Sequence, residues 1–231
     1  MTLGPRMLIK EPIRSILKVP KVRSGKELFN EGIIDWSHKA LADLKLLIRK
    51  ELRKQQHGRC IYCRRPLILE RKNAYEDLEH FLDKSKPNFR KWALCCVNIS
   101  LSCRACNFQK STKNLGIGLA PPAGTLMYAR GPGLYSWIHP YFDDFNEHIH
   151  VGQGWTYVVR ATAPFPVLAQ TMIDDLDLVQ IESIEARSEK IKSEISRLTN
   201  LGMECFKRKR PKHAEIVLRA SRAFQDATTF G

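Results

Sequence analysis

The sequence predicts an α+β chain, in which a small ββα unit stapled by cysteines is embedded in a mostly helical chain that ends in a hairpin and helices. Three observations carry that prediction. Two Cys-x-x-Cys pairs, Cys60/Cys63 and Cys103/Cys106, enclose two segments that read as strands, and helical periodicity dominates on either side. A composition of 43% hydrophobic and 27% charged residues is that of a globular chain and excludes wholesale disorder. No apolar run approaches the ~18 residues needed to cross a bilayer, so no membrane role is expected. The opening MTLGPRMLIKEPIR lacks the apolar core of a secretory signal, and a cytoplasmic location is expected.

In chain order, residues 1–56 read as a basic arm followed by a helix. The first 34 residues mix Pro5, Pro12, Pro20, Gly4 and Gly25 with basic and short apolar stretches, which predicts an irregular arm. Asp35 or Ser37 then caps a helix running to about Gln56, with Gly58 as its stop. Leu41, Leu44, Ile48 and Leu52 form its buried stripe and Lys45, Arg49, Lys50, Arg53 and Lys54 a solvated face. Residues 57–120 form the cysteine-stapled core: a knuckle, a strand over Tyr75 to Phe81, a polar loop from Asp83 to Arg90, a strand from Leu94 to Ser102, the second knuckle, and a helix from Cys106 to about Lys113. Residues 121–231 begin with a linker marked by Pro121, Pro122, Gly124 and Gly131-Pro132-Gly133. A hairpin follows over His148 to Arg160, then a helix from Asp174 or Asp175 to Asn200 ended by Gly202, and a last helix from about Lys212 to Ala227.

Seven cysteines, an odd number in a long chain with no export signal, do not suit a disulfide scaffold. Two-residue spacing lets both thiolates of a pair face one ion, and two such knuckles complete a closed tetrahedral shell, which predicts a structural Zn²⁺ held by Cys60, Cys63, Cys103 and Cys106. Cys95 and Cys96 read as part of a buried strand. The formal net charge of +14 points to a polyanionic partner, with nucleic acid first among them. The basic string Lys207-Arg208-Lys209-Arg210-Pro211-Lys212 fits a solvated face or a phosphate contact. No GxxxxGK[ST] or GxGxxG motif occurs, so nucleotide hydrolysis is not expected of this chain.

Between the cysteine pairs stand Glu79-His80, then Asn98, then Cys103-Arg104-Ala105-Cys106-Asn107-Phe108-Gln109-Lys110. Over about residues 57–113 this resembles the HNH, or ββα-metal, nucleases, in the subclass whose motif is embedded in two zinc knuckles. The resemblance implies that His80 is the general base, that Asn98 fixes the loop and the histidine orientation, and that Asn107 binds a catalytic Mg²⁺ or Mn²⁺, with Glu79 as an acidic ligand. Phosphodiester hydrolysis requires a deprotonated water and neutralisation of charge on the transition state and the leaving oxygen. A neutral imidazole and an oxygen-ligated divalent ion are suited to those needs. Lys110 belongs to the motif as a phosphate contact; Arg104, Lys84 and Lys86 are further candidates for nucleic-acid binding. The length and order of elements are also similar to the PtuB-type subunits of Septu antiphage systems, which implies an ABC-like ATPase partner and a role in antiviral defence. DNA is the expected substrate; an RNase of the same active-site type and a non-catalytic zinc module are the alternatives. His139-Pro140-Tyr141-Phe142-Asp143-Asp144 with His148 could be read as a second metal site, but a structural role is expected.

Overall fold

The computed structural model describes residues 3–70, 73–116, 128 and 130–229. The chain is a mixed α+β protein divided into two compact units, one comprising Met1–Gly152 with Tyr157–Leu178 and the other Gln153–Thr156 with Val179–Gly231. The expected boundaries at residues 56 and 120 fall within the span of the first unit.

The expected irregular arm is helical. Helix α1 (Lys10–Ile16) is followed by a 3-10 turn at Pro20–Val22 and helix α2 (Arg23–Asn30). Pro12 lies in the first turn of α1 and Pro20 opens the 3-10 turn, where the missing N–H of proline costs no helical hydrogen bond. Gly25 faces the carbonyl of Ala40 so closely that a Cβ there would collide with it.

A second 3-10 turn, Lys39–Leu41, is capped by His38 Nδ1, which accepts from Ala40 N at 3.2 Å, and leads into α3 (Ala42–Gln55), so neither Asp35 nor Ser37 is the N-cap. The expected stripe is buried as read: Leu41, Leu44, Ile48 and Leu52 are at most 1% exposed. The basic face is only partly solvated. Arg53 forms an ion pair at 2.8 Å with Glu76, a buried carboxylate on the hairpin described next.

Strand β1 (Leu69–Glu70) pairs antiparallel with β2 (Asn73–Ala74), and β3 (Glu76–His80) pairs antiparallel with β4 (Ile99–Cys103). The register sets Glu79 opposite Ser100 and His80 opposite Ile99. The expected loop from Asp83 to Arg90 contains a short helix, α4 (Pro87–Arg90), whose Phe89 is buried. The second strand begins five residues later than read. Residues 91–98 are turns, held by Cys95 N donating to Trp92 O and Asn98 N donating to Cys95 O, each at 2.9 Å, so Cys95 and Cys96 lie before the strand.

Helix α5 (Arg104–Lys110) follows β4 directly and packs on both strands of that hairpin. The linker residues Pro121, Pro122 and Gly124 lie outside the described residues, whereas Gly133, at φ +71°, packs where a Cβ would sit 2.6 Å from the Phe165 ring. Helix α6 (Phe145–His148) runs into the expected hairpin, β5 (Ile149–Val151) with β6 (Tyr157–Val159), joined through a 3-10 turn at Gln153–Trp155.

The single long helix expected from Asp174 or Asp175 is two. Helix α7 (Pro166–Asp175) stops before Asp177, which adopts φ +50°, and α8 (Leu178–Lys207) begins anew. Asp175 is the last residue of α7; it accepts from Trp137 Nε1 at 2.8 Å and pairs with Lys113 at 2.9 Å.

In the second unit α8 and α9 (Pro211–Thr229) form a helical pair. Gly202, expected as a stop, lies inside α8, where an added Cβ would stand 2.7 Å from the Leu218 side chain; it permits close helix packing rather than ending the helix. The basic string forms the connection, with Lys209 at φ +55°. Among the described residues no helix is long and apolar enough to cross a membrane.

Candidate metal centre and active site

Each knuckle is a local structure the sequence dictates. After Cys60 the chain turns back, with Arg64 N donating to Cys60 O at 3.1 Å and Arg64 itself at φ +62°. Cys103 is the N-cap of α5, its sulfur accepting from Cys106 N at 3.5 Å.

The four sulfurs lie within 4.8 Å of one another, and Cys63 Sγ to Cys103 Sγ is 3.8 Å. A tetrahedron of ~2.3 Å metal–sulfur bonds has edges of about 3.8 Å, so the cluster fits a tetrahedral ion such as zinc. The Cys103 thiol is drawn well below its usual range by its contacts with Cys106, Cys60 and Cys63. Arg64 is buried beside it, its guanidinium 3.9 Å above the Phe145 ring. Burial pulls its pKa down to about 10, against the opposing pull of Cys60 and Cys63. An arginine so placed offsets the negative charge that four thiolates bring around one divalent ion. Tyr157 braces the first knuckle by donating to Cys63 O at 2.6 Å.

The hairpin and α5 hold the remaining candidates. Asn98 is 1% exposed and fully engaged: its Oδ1 accepts from Leu82 N at 2.7 Å and from Tyr128 OH at 3.1 Å, and its Nδ2 donates to Leu82 O and Trp92 O, each at 3.1 Å. It therefore clamps the chain two residues beyond His80. Tyr128 is held in turn by His139, whose Nδ1 accepts from Tyr141 N at 3.2 Å. That leaves the proton on Nε2, which donates to the Tyr128 oxygen at 3.0 Å.

His80 is 4% exposed. Its ring meets Trp36 edge-on with centroids 4.6 Å apart, and its Nε2 is buried without a hydrogen-bond partner among the described residues. Burial holds its imidazole well below the usual value, and the charges of Lys84 and Lys110 add to the effect. The ring is therefore neutral at neutral pH, the form a base requires.

Glu79 does not face Asn107 as a free ligand. Its carboxylate pairs with Lys110 Nζ at 2.8 Å and accepts from Tyr62 OH at 3.0 Å. Lys110, expected as a phosphate contact, is 1% exposed and also donates to His80 O at 3.0 Å. Its ammonium compensates a buried carboxylate and orders the end of β3, which corrects its reading as a phosphate contact. The carboxylate beside Asn107 is Asp77, whose Oδ2 accepts from Asn107 Nδ2 at 3.1 Å.

Of the other basic candidates, Arg104 is exposed, its guanidinium 6.0 Å from the Tyr75 ring centre, and Lys84 and Lys86 are half-buried on the loop after β3. The His139 motif is structural as expected. Asp143 accepts from His139 N at 2.6 Å and Gly133 N at 3.0 Å, and Asp144 caps α6 and pairs with Arg6. Among the described residues the four cysteines are the only group of three or more cysteine, histidine or acidic side chains close enough to share an ion.

Sequence reasoning missed Asp77, Tyr62, Trp36 and Tyr128. Asp77 was findable, because it is two residues from Glu79 on the same face of a strand; Trp36 and Tyr128 arrive through tertiary packing, for which the sequence carries no local signal. No family model matches the chain, and no curated protein or solved structure is significantly similar to it.

Proposed function

We propose that the chain is a metal-dependent HNH-type endonuclease that hydrolyses phosphodiester bonds of DNA. The observation that supports this reading is the joint placement, on one cysteine-stapled hairpin and helix, of a neutral His80, a loop clamped by Asn98, and Asn107 paired with Asp77. In this reading zinc at Cys60, Cys63, Cys103 and Cys106 is structural, since four thiolates close the shell.

Asp77 and Asn107 offer a carboxylate and an amide oxygen, the hard donors that Mg²⁺ or Mn²⁺ takes alongside water. A divalent ion held there would supply charge neutralisation at the scissile phosphate and the leaving oxygen. His80 Nε2 accepts the proton of the attacking water, and this requires Trp36 to move off the ring. Lys110, by holding both the His80 carbonyl and Glu79, fixes the strand end from which His80 acts. The net charge of +14 supports nucleic acid as substrate, and the order of elements supports work within an antiphage defence complex beside an ABC-like ATPase.

A second reading, a non-catalytic zinc module that binds nucleic acid or a partner, is favoured by one arrangement: Glu79 is spent on Lys110 while Trp36 covers His80. Purified protein with plasmid DNA and with total RNA, in Mg²⁺ or Mn²⁺ against EDTA, separates the readings. Metal-dependent cleavage lost in His80→Ala, with zinc content and nucleic-acid binding retained, supports the endonuclease; cleavage confined to RNA makes it an RNase; nucleic-acid binding with no cleavage by the wild type leaves the binding module.

A further inference from the structure

Several cations around the hairpin are consumed by the fold. Lys110 is spent on Glu79, Arg53 on Glu76 and Lys113 on Asp175, and Arg64 is buried over the Phe145 ring. The connection between α8 and α9 is the opposite case. Lys207, Arg208, Lys209, Arg210 and Lys212 fall within six residues, and the last turn of α8 sets one carboxylate, Glu204, against them. Glu204 is shared between Lys207 at 3.8 Å and Arg208 at 3.3 Å, whose side chains stay 74% and 72% exposed. Lys209, Arg210 and Lys212 are exposed and form no ion pair among the described residues, and α9 has no acidic residue in its first turn.

The turn that carries these charges is fixed. Lys209 N donates to Phe206 O and Arg210 N to Cys205 O, each at 2.9 Å, the paired closure of a helix C-terminus. That closure sets Lys209 at φ +55°, where glycine is the residue free of crowding at Cβ. A lysine at a glycine position adds nothing to the turn itself; what it adds is charge at a defined point of the surface.

We propose that this tip of the helical pair is a nucleic-acid anchor, which holds the phosphodiester backbone without regard to sequence. Exposed cations on a rigid turn gain affinity by releasing the counterions condensed on a chain of phosphates. Arg208 and Arg210 add planar forks that match phosphate oxygens. The excess of +14 over the whole chain draws a long, uniformly charged polymer in preference to a short acidic peptide. The anchor deepens the nuclease reading by naming where substrate is held, and rests on that reading only in taking the bound polymer to be the substrate.

The test is fluorescence anisotropy of the full-length, zinc-loaded chain with short mixed-sequence duplexes of DNA and of RNA, without Mg²⁺ or Mn²⁺, from about 0.05 to 0.5 M salt. Each phosphate contact contributes about 0.9 to the slope of log affinity against log salt. The triple variant Lys209→Gln/Arg210→Gln/Lys212→Gln is therefore expected to lower the slope by about 2.5 and the affinity near 0.1 M salt by about a hundredfold, with variant and wild type converging toward about 1 M. Lys209→Gly is expected to lose about 0.9 of slope while melting no lower than the wild type, which separates charge from fold. The control Lys39→Gln/Lys50→Gln/Lys54→Gln removes the same charge from exposed lysines of the first unit and is expected to lower the slope by less than about 1. An unchanged slope in the triple variant, an equal fall in the control, or polyglutamate bound as tightly as the duplexes overturns the anchor. With the expected slopes in hand, the tighter of the two duplexes identifies the polymer that supplies the backbone. His80→Ala leaves the slope unchanged whether or not the chain is a nuclease, so the two proposals fail separately.

Discussion

Replacing Lys110 by methionine keeps the length of the side chain and removes its charge, which leaves the buried Glu79 carboxylate with Tyr62 as its one hydrogen-bond partner among the described residues. Breaking a buried pair from one side costs about 3 to 5 kcal/mol, because the remaining charge is stranded in a medium that solvates it poorly. For a chain of this length each kcal/mol moves the melting temperature by roughly 2 to 4 °C, so a fall of about 6 to 20 °C is expected. An exposed lysine in the same sequence position would change stability by no more than about 0.5 kcal/mol.

The double variant Lys110→Met/Glu79→Gln removes the stranded charge and is expected to recover at least about 2 kcal/mol of the loss, the coupling that a double-mutant cycle reads. The pH dependence has a defined sign. Burial already raises the Glu79 carboxyl above its ordinary 4.5, and Lys110 is the largest influence opposing that rise. Without Lys110 it rises further, so the folded variant binds the proton more tightly than the unfolded chain. That contribution to folding is complete below the unfolded value and is lost as pH climbs through the folded one. The deficit of Lys110→Met relative to wild type is therefore smallest near pH 4.5 and grows toward neutrality. Differential scanning calorimetry from pH 4.5 to 8 measures it. A fall of less than about 3 °C at pH 7, or a deficit that widens as pH drops, refutes the buried-pair reasoning.

Three further outcomes are expected. Asn98→Ala strands two carbonyls, one N–H and the Tyr128 hydroxyl, and should cost about 3 to 5 kcal/mol in urea unfolding, with a loss below about 1 kcal/mol excluding the clamp. Cys60→Ser should abolish stoichiometric zinc by elemental analysis and lower the melting temperature, whereas unaltered zinc content would remove the ion from those sulfurs. Trp36→Ala uncovers His80, so Mg²⁺-dependent plasmid cleavage should rise several-fold and the imidazole, followed by NMR, should titrate closer to its ordinary value; an unchanged titration rules out Trp36 as the cover.

The parts of the fold that were legible are those encoded by short spacing. Two Cys-x-x-Cys pairs specify their own turns, so the four-sulfur cluster follows from eight residues, and the Leu41, Leu44, Ile48 and Leu52 stripe follows from helical period alone. Asn98 clamps Leu82, sixteen residues away, Trp92, six residues away, and Tyr128, partners that tertiary packing and not local spacing brings to it. What spacing does not carry is which way a charged side chain turns once helix and hairpin dock. Lys110 and Glu79 were each assigned outward tasks, yet packing of α5 on β3 makes them partners and puts Asp77 beside Asn107 in place of Glu79. Prolines misled at the N-terminus for a related reason: Pro12 and Pro20 signal an irregular chain unless they fall in a first turn, and both do.

Gln56, wholly buried just after α3, donates from its amide to Leu101 O and accepts from Leu101 N, both at 2.8 Å, while Ile61 N donates to the same carbonyl at 3.0 Å. A side chain thus plays the part of a third strand along the outer rim of β4. Such a rim, left bare, invites an extended peptide or a second copy to add on by main-chain pairing. Here that invitation is withdrawn at Leu101, where no added strand can pair with β4 while Gln56 holds both main-chain groups.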